Sequence, residues 1–154
     1  LKILADKAGI YGMVGGQVVD VASCGVGLDE GMLNFIYELK TGALIESSMM
    51  IGALLAGADT AELEKVQKIA SDVGIAFQIQ DDILDVTSTT EELGKPVHSD
   101  EKNEKTTYVT LKGLEKATAD VEAISQEALD LLAGLDRENL YLTQLIQELI
   151  HRKK

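Results

Sequence analysis

Four polar residues in the segment Ala76-Phe77-Gln78-Ile79-Gln80-Asp81-Asp82-Ile83-Leu84-Asp85-Val86 have the spacing of a reactive surface: Gln78, Asp81, Asp82 and Asp85 fall at i, i+3, i+4 and i+7. On a helix those offsets share one face. The intervening Phe77, Ile79, Ile83, Leu84 and Val86 are bulky and apolar, so the acidic stripe is bounded by residues that must pack on neighbouring elements. A stripe of that kind is expected to look into an inward, water-filled cavity. Three carboxylates so close repel one another, and in a partly enclosed place they stay ionised only beside a strong counter-charge. A divalent cation is the economical one, and an all-oxygen ligand set favours Mg²⁺, Mn²⁺ or Ca²⁺ over zinc. The competing interpretation, a solvated acidic face, is the common fate of such residues; the apolar flanks and the basic residues below argue against it.

Lys40 stands in Lys40-Thr41-Gly42-Ala43-Leu44-Ile45, a run otherwise of apolar and small residues. A lysine there either snorkels to the surface from a helix edge or meets an anion. Gln17 and Asp20 lie one turn apart in Gly15-Gly16-Gln17-Val18-Val19-Asp20. Paired glycines inside a helix cost about 1 kcal/mol each against Ala, so they mark a place where helices approach closely. A polar stretch, Thr87 to Asn103, contributes Gly94-Lys95 and Asp100, with Lys105 just beyond. Its lysines are placed to close over an anion held at the aspartates, and its length is one more often functional than merely connecting.

The elements that must position these groups are helices. One proline, Pro96, occurs in 154 residues, aromatics are 4% of the chain, and no stretch sustains the apolar–polar alternation of a strand. The pattern predicts an all-α helical bundle. A first helix runs to about Ser23 and ends at Gly25-Val26-Gly27; Asp29 caps a second that carries Asn34 through Ala56. Asp59 and Glu62 have capping-box spacing and open a third that reaches about Val86. Two more follow: Lys105 to Ala133 with a break at Gly113, and Arg137 to Arg152.

At 154 residues and 45% hydrophobic the chain is the size of one domain. Its formal charge of -12 repels a phosphate backbone, which argues against nucleic acid as a partner. The single cysteine, Cys24, forms no internal disulfide, the apolar runs fall short of the roughly 20 residues that span a bilayer, and a cytoplasmic protein is expected. Leu1 is not an initiator Met, and Leu1 to Lys7 already reads as the interior of an amphipathic helix, so helical material upstream is expected.

Gly12-Met13-Val14-Gly15-Gly16-Gln17-Val18-Val19-Asp20, Lys40-Thr41-Gly42, Phe77-Gln78-Ile79-Gln80-Asp81-Asp82-Ile83-Leu84-Asp85, Gly94-Lys95-Pro96, and Asp100 to Lys105-Thr106-Thr107-Tyr108 occur in this order. Together they resemble the second half of the trans-isoprenyl diphosphate synthases of farnesyl and geranylgeranyl diphosphate type. An Asp-Asp-x-x-Asp element alone is a weak signal; the ordered set, spread over essentially the whole chain, is a strong one. The resemblance implies that residues 1–154 are the C-terminal part of a single helical isoprenoid-synthase domain. It implies a prenyl transfer in which Mg²⁺, with Mn²⁺ as a substitute, holds an allylic diphosphate whose carbocation is attacked by isopentenyl diphosphate. By the same resemblance Asp81 and Asp85, with Asp82 and Asp100 acting through water, match the second metal-binding aspartate cluster. Lys40, Lys95 and Lys105 match residues that hold the leaving diphosphate, Thr41 and Gln78 match groups that stabilise the cation and orient the substrate, and Gln17 and Asp20 match positions lining the cavity. The family's other aspartate motif and its isopentenyl diphosphate site belong to a preceding half, so the 154 residues alone are expected to lack condensation activity. A homodimer or higher oligomer is expected.

Two positions depart from the pattern: Val109 stands where many relatives have Pro, and His98-Ser99 replaces a frequent Gly-containing pair. Three other readings compete. A non-catalytic prenyl-diphosphate-binding or regulatory subunit has no need of the retained lysines and aspartates. A class I terpene cyclase shares the fold but resembles this chain poorly at Lys40-Thr41. A di-iron carboxylate bundle needs two Glu-x-x-His motifs and two further Glu, whereas Glu148-Leu149-Ile150-His151 is a single motif.

Overall fold

The computed structural model describes residues 1–89, 97, 100 and 105–152. Every regular element among them is helical: α1 (Lys2–Ala8), α2 (Met13–Ala22), α3 (Glu30–Ile36), a π-helical turn (Tyr37–Gly42), α4 (Ala43–Leu55), α5 (Thr60–Thr87), α6 (Tyr108–Lys112), α7 (Leu114–Ala133) and α8 (Leu140–Ile150). No described helix is long and apolar enough to cross a membrane.

Helix α5 is the axle. Its 28 residues start at a capping box in which the Asp59 side chain accepts from Glu62 N and the Glu62 carboxylate accepts from Asp59 N. This reciprocal satisfaction of otherwise orphaned amides fixes the start of the helix. Val66, Ile69, Val73, Ala76, Ile79 and Ile83 are all buried along it, at the three- and four-residue intervals of a core-facing stripe. That stripe packs most extensively on α7, whose Ala117, Val121, Ala128 and Leu132 are buried in the same rhythm. The π-helical turn and α4 cover another side of α5, α1 lies on α4, and α2 lies on the π-helical turn. Helix α8 closes the bundle through Ile146 and Ile150.

The first expected helix is two, because Gly9 and Gly12 interrupt it. A side chain at Gly12 would stand 2.0 Å from the Lys7 carbonyl oxygen, a backbone fold that a Cβ does not fit. The second expected helix is interrupted by the π-helical turn at the stretch that carries Lys40 and Thr41. The other boundaries lie near expectation: Asp29 accepts from Met32 N at the start of α3, and Gly113, at φ 83, separates α6 from α7. Helix α8 begins at Leu140 rather than Arg137, because the Asn139 side chain accepts from Leu142 N and fixes the first turn. Most of the polar stretch expected to close over an anion, including Gly94, Lys95, Pro96 and His98, lies outside the described residues.

Two glycines set how closely the elements approach. A Cβ on Gly16 of α2 would lie 2.4 Å from Lys40 N, and one on Gly74 of α5 would lie 2.7 Å from the Gly42 Cα. Backbone therefore touches backbone at the π-helical turn from both sides, which draws Lys40 and Thr41 down onto α2 and α5.

Candidate active site

Where α2, the π-helical turn and α5 meet, they enclose a polar cavity of about 110 Å³. Asp20 comes from α2, Tyr37 and Lys40 from the turn, Gln78, Asp81 and Asp82 from α5, and Asp100, Lys105, Thr106 and Thr107 from the segment before α6. Opposite charges thus face one another across one space: carboxylates on the α5 wall and two ammonium groups arriving from elsewhere in the chain.

The lysines are held by a carboxylate of the same chain. Lys40 Nζ lies 2.7 Å from Asp20 Oδ2, and Lys105 Nζ is 3.3 Å from both Asp20 oxygens. Burial pushes the Asp20 carboxyl up, but the hydrogen bonds and charges of Lys40 and Lys105 outweigh it and hold the group below the usual carboxylate range. Leu28 N donates to Thr106 Oγ1 at 3.1 Å, so the chain just beyond α2 anchors the segment that presents Lys105.

The π-helical turn is stapled to α5 twice. Thr41 Oγ1 donates to Gln78 Oε1, and Tyr37 Oη donates to Asp82 Oδ2. Tyr37 and Thr41 are four residues apart along the turn, and Asp82 and Gln78 are four apart in the opposite sense along α5, so the two contacts run antiparallel along facing surfaces. Tyr108 N donates to the same Asp82 oxygen at 2.7 Å, which brings the start of α6 to the same point. Asp82 is 5% exposed, and burial pushes its carboxyl up to about 7; the hydrogen bonds from Tyr37 and Tyr108 oppose that rise, and the charges of Asp100 and Asp81 add to it. Burial also pushes the Tyr37 phenol upward, which keeps it a donor.

Between the ordinary carboxyl value of 3.8 and about 7, the folded chain keeps a proton on Asp82 that the unfolded chain has released. Stability then falls as pH rises through that window and levels off above it. In buffer free of divalent cations, Asp82 is expected to cost on the order of 2 kcal/mol between pH 5 and pH 8. Asp82→Asn should remove that slope, as read from urea midpoints at the two pH values; an unchanged slope counts against a protonated Asp82.

The other expected residues are placed as follows. Asp81 lines the cavity and pairs with Arg152 at 3.2 Å. Asp85 is 2% exposed, accepts from Asp100 N at 3.3 Å and is not among the residues that line the cavity. Thr41 acts on the cavity through Gln78. Gln17 is exposed and stands outside the lining, because the face of α2 that packs on the turn carries Gly16 and Asp20. Lys95 lies outside the described residues. Three participants were not found from the sequence: Tyr37, Tyr108 and Arg152. Each acts on an α5 aspartate through a contact more than 25 residues distant, and none carries a local pattern that announces it.

Among the described residues no three carboxylate, imidazole or thiolate groups converge closely enough to cage an ion by themselves. The oxygen donors on the cavity wall, Asp81, Asp82 and Asp100, instead fit Mg²⁺, which is ordinarily held by one or two carboxylates while phosphate oxygens and waters complete its shell.

Comparison with known proteins accords with this arrangement. The polyprenyl synthetase family profile matches residues 2–144. The chain is 43% identical over 140 residues to the heterodimeric geranylgeranyl pyrophosphate synthase large subunit 1, chloroplastic, of Arabidopsis thaliana, covering 89% of this chain and 38% of that one. It is 40% identical over 150 residues to a dimethylallyltranstransferase of Fischerella ambigua, covering 97% and 43%. Among solved structures, a geranyltransferase from Helicobacter pylori complexed with magnesium and isoprenyl diphosphate superposes with a TM-score of 0.81 at 34% identity, over 97% of this chain and 49% of that one. The chain spans less than half the length of these curated relatives. An all-helical bundle built round α5, with facing aspartates and lysines and a profile match over nearly its whole length, makes this chain a member of the polyprenyl synthetase family.

Proposed function

We propose that these residues form the C-terminal part of one helical prenyltransferase domain, which condenses isopentenyl diphosphate with an allylic diphosphate. One observation carries the reading: Asp81 and Asp82 face Lys40 and Lys105 across a single cavity, the charge arrangement that a magnesium diphosphate fits. Asp81 would hold Mg²⁺ directly, with Asp82 and Asp100 reaching it through water and Asp85 supporting Asp100 through the latter's backbone N–H. Bound Mg²⁺ supplies Lewis-acid neutralisation of the diphosphate as its bond to carbon breaks. Lys40 and Lys105 add fixed positive charge where the departing anion accumulates negative charge, which lowers the barrier because the donors are already in place. Thr41 donates to Gln78 Oε1 and so fixes the amide of a residue that lines the cavity, where it would orient the substrate. Tyr37 and Tyr108 N hold Asp82 and keep the π-helical turn in register with α5.

Exposed Leu4, Ile10, Tyr11, Val14, Val18 and Val21 on and between α1 and α2 are the surface through which the chain would assemble into a dimer or larger oligomer.

Thermal melting tests the binding claim. A ligand that binds only the folded state raises its stability. Mg²⁺ together with an allylic diphosphate analogue is expected to raise Tm by several degrees, and by more than either alone, as about 1–2 kcal/mol does for a domain of this size. Equal melting with and without the pair would remove the assignment. With one aspartate-rich cluster in these residues, the chain alone is expected to form no condensation product from the two diphosphates and Mg²⁺; efficient product formation would refute the partition of the site between two halves.

A further inference from the structure

Tyr108 stands at the start of α6, and its two polar ends reach different helices. Its backbone N donates to Asp82 Oδ2 of α5 at 2.7 Å, and its hydroxyl donates to Asp120 Oδ2 of α7 at 2.8 Å. The residue between those ends is buried. The other oxygen of Asp120 accepts from Lys116, one turn earlier on α7, so the two donors take separate oxygens and neither displaces the other. Burial and the Asp120 carboxylate push the Tyr108 phenol up to about 12, which keeps it a donor. The Lys116 hydrogen bond holds the Asp120 carboxyl below the usual carboxylate range, which keeps it an acceptor.

Residues 105–107, just before α6, belong to no regular element, so no ladder of backbone bonds places Lys105. Its position depends on what the segment is tied to. Lys105 N donates to Asp100 O at 2.9 Å and Thr106 Oγ1 accepts from Leu28 N at 3.1 Å; Asp100, Leu28 and Asp82 all line the cavity. Asp120 is not among the lining residues, and α7 contributes none of them. The bond from Tyr108 to Asp120 therefore ties the segment to the helix on which α5 packs most extensively, outside the cavity. We infer that Asp120 is a positioning residue for the diphosphate site: through Tyr108 it anchors to the bundle both the segment that presents Lys105 and the amide that holds Asp82. The inference rests on the reading of the cavity as a magnesium diphosphate site. A buried phenol needs an acceptor wherever it lies; this one has a further consequence because the same residue supplies a donor to Asp82 and follows Lys105 by three positions. Without Asp120 the segment keeps its contacts at the cavity but loses its polar tie to α7, and an ammonium group held less rigidly gives up more freedom on binding an anion.

The test is the affinity of inorganic diphosphate for the 154-residue chain in the presence of Mg²⁺, by calorimetry, measured beside the melting temperature. Asp120→Ala and Tyr108→Phe are each expected to weaken binding about three- to tenfold, the effect of one hydrogen bond, and the double variant no more than either alone, because both changes break the same tie. Asp120→Asn keeps an acceptor for the phenol and should bind close to the parent. A bond that serves packing alone would lower the melting temperature and leave the affinity of the folded chain unchanged. That result, additive losses in the double variant, or Asp120→Asn as weak as Asp120→Ala overturns the positioning role and leaves the diphosphate reading standing. Absence of diphosphate binding by the parent chain itself overturns both.

Discussion

Asp81→Ala, in a full-length synthase carrying these residues, is expected to lower turnover by roughly 10²- to 10³-fold, the effect of losing one preorganised electrostatic contact. The expectation is specific to chemistry, because Asp81, which pairs with Arg152, is only partly buried. Such pairs contribute about 0–1 kcal/mol to stability, so the thermal midpoint should barely move. Asp82→Ala makes the contrast. Asp82 is buried and accepts from Tyr37 and from Tyr108 N, so its removal strands two donors and should unsettle the fold as well as the activity. Steady-state turnover with saturating diphosphates and Mg²⁺, measured beside the melting temperature, separates the two cases. Near-normal turnover of Asp81→Ala would remove the metal role of that residue.

The second large effect concerns a residue with no side chain. At Gly74 an added Cβ would meet the Gly42 Cα at 2.7 Å, and a backbone atom inside a packed turn has nowhere to go. Gly74→Val is therefore expected to cost about 2–4 kcal/mol through overpacking, read as a lower urea midpoint. It should also weaken diphosphate binding, because the displaced element is the turn that presents Lys40 and Thr41. Gly52 is the control: it is helical, in α4, and nothing lies within 4 Å of its added Cβ. Gly52→Ala should be neutral or stabilising by up to about 1 kcal/mol from helix propensity alone. An unchanged urea midpoint for Gly74→Val would show that the contact between α5 and the π-helical turn does not constrain Gly74.

The π-helical turn shows where local reading runs out. Lys40-Thr41-Gly42 is conspicuous as a lysine in apolar company, but its neighbours give no notice that the helix widens there. A π turn carries one residue more than an α turn, so the side chains beyond it are rotated by about 100° relative to an unbroken helix. The compensation comes from other elements: Asp82 takes the Tyr37 hydroxyl, Gln78 takes the Thr41 hydroxyl, and Gly16 and Gly74 let the turn sink between α2 and α5. Gln17 illustrates the same limit. One turn from Asp20 in sequence, it is exposed while Asp20 lies between two lysines, because the close approach at Gly16 decides which side of α2 faces the turn.

By itself the sequence determined the helical class, the length and capping of α5, the break at Gly113, and the shared face of Gln78, Asp81 and Asp82. These follow from backbone propensity, capping chemistry and the 3.6-residue period, which act over a few residues. Only the tertiary structure decided that Asp20 holds Lys40 and Lys105, that Tyr37 and Tyr108 N converge on Asp82, and that Arg152 settles on Asp81. The reason is physical: an ionic or hydrogen-bonded group takes whatever complementary partner the packed core delivers, and that delivery depends on helix-to-helix distances set by buried side chains and glycines far away in the chain.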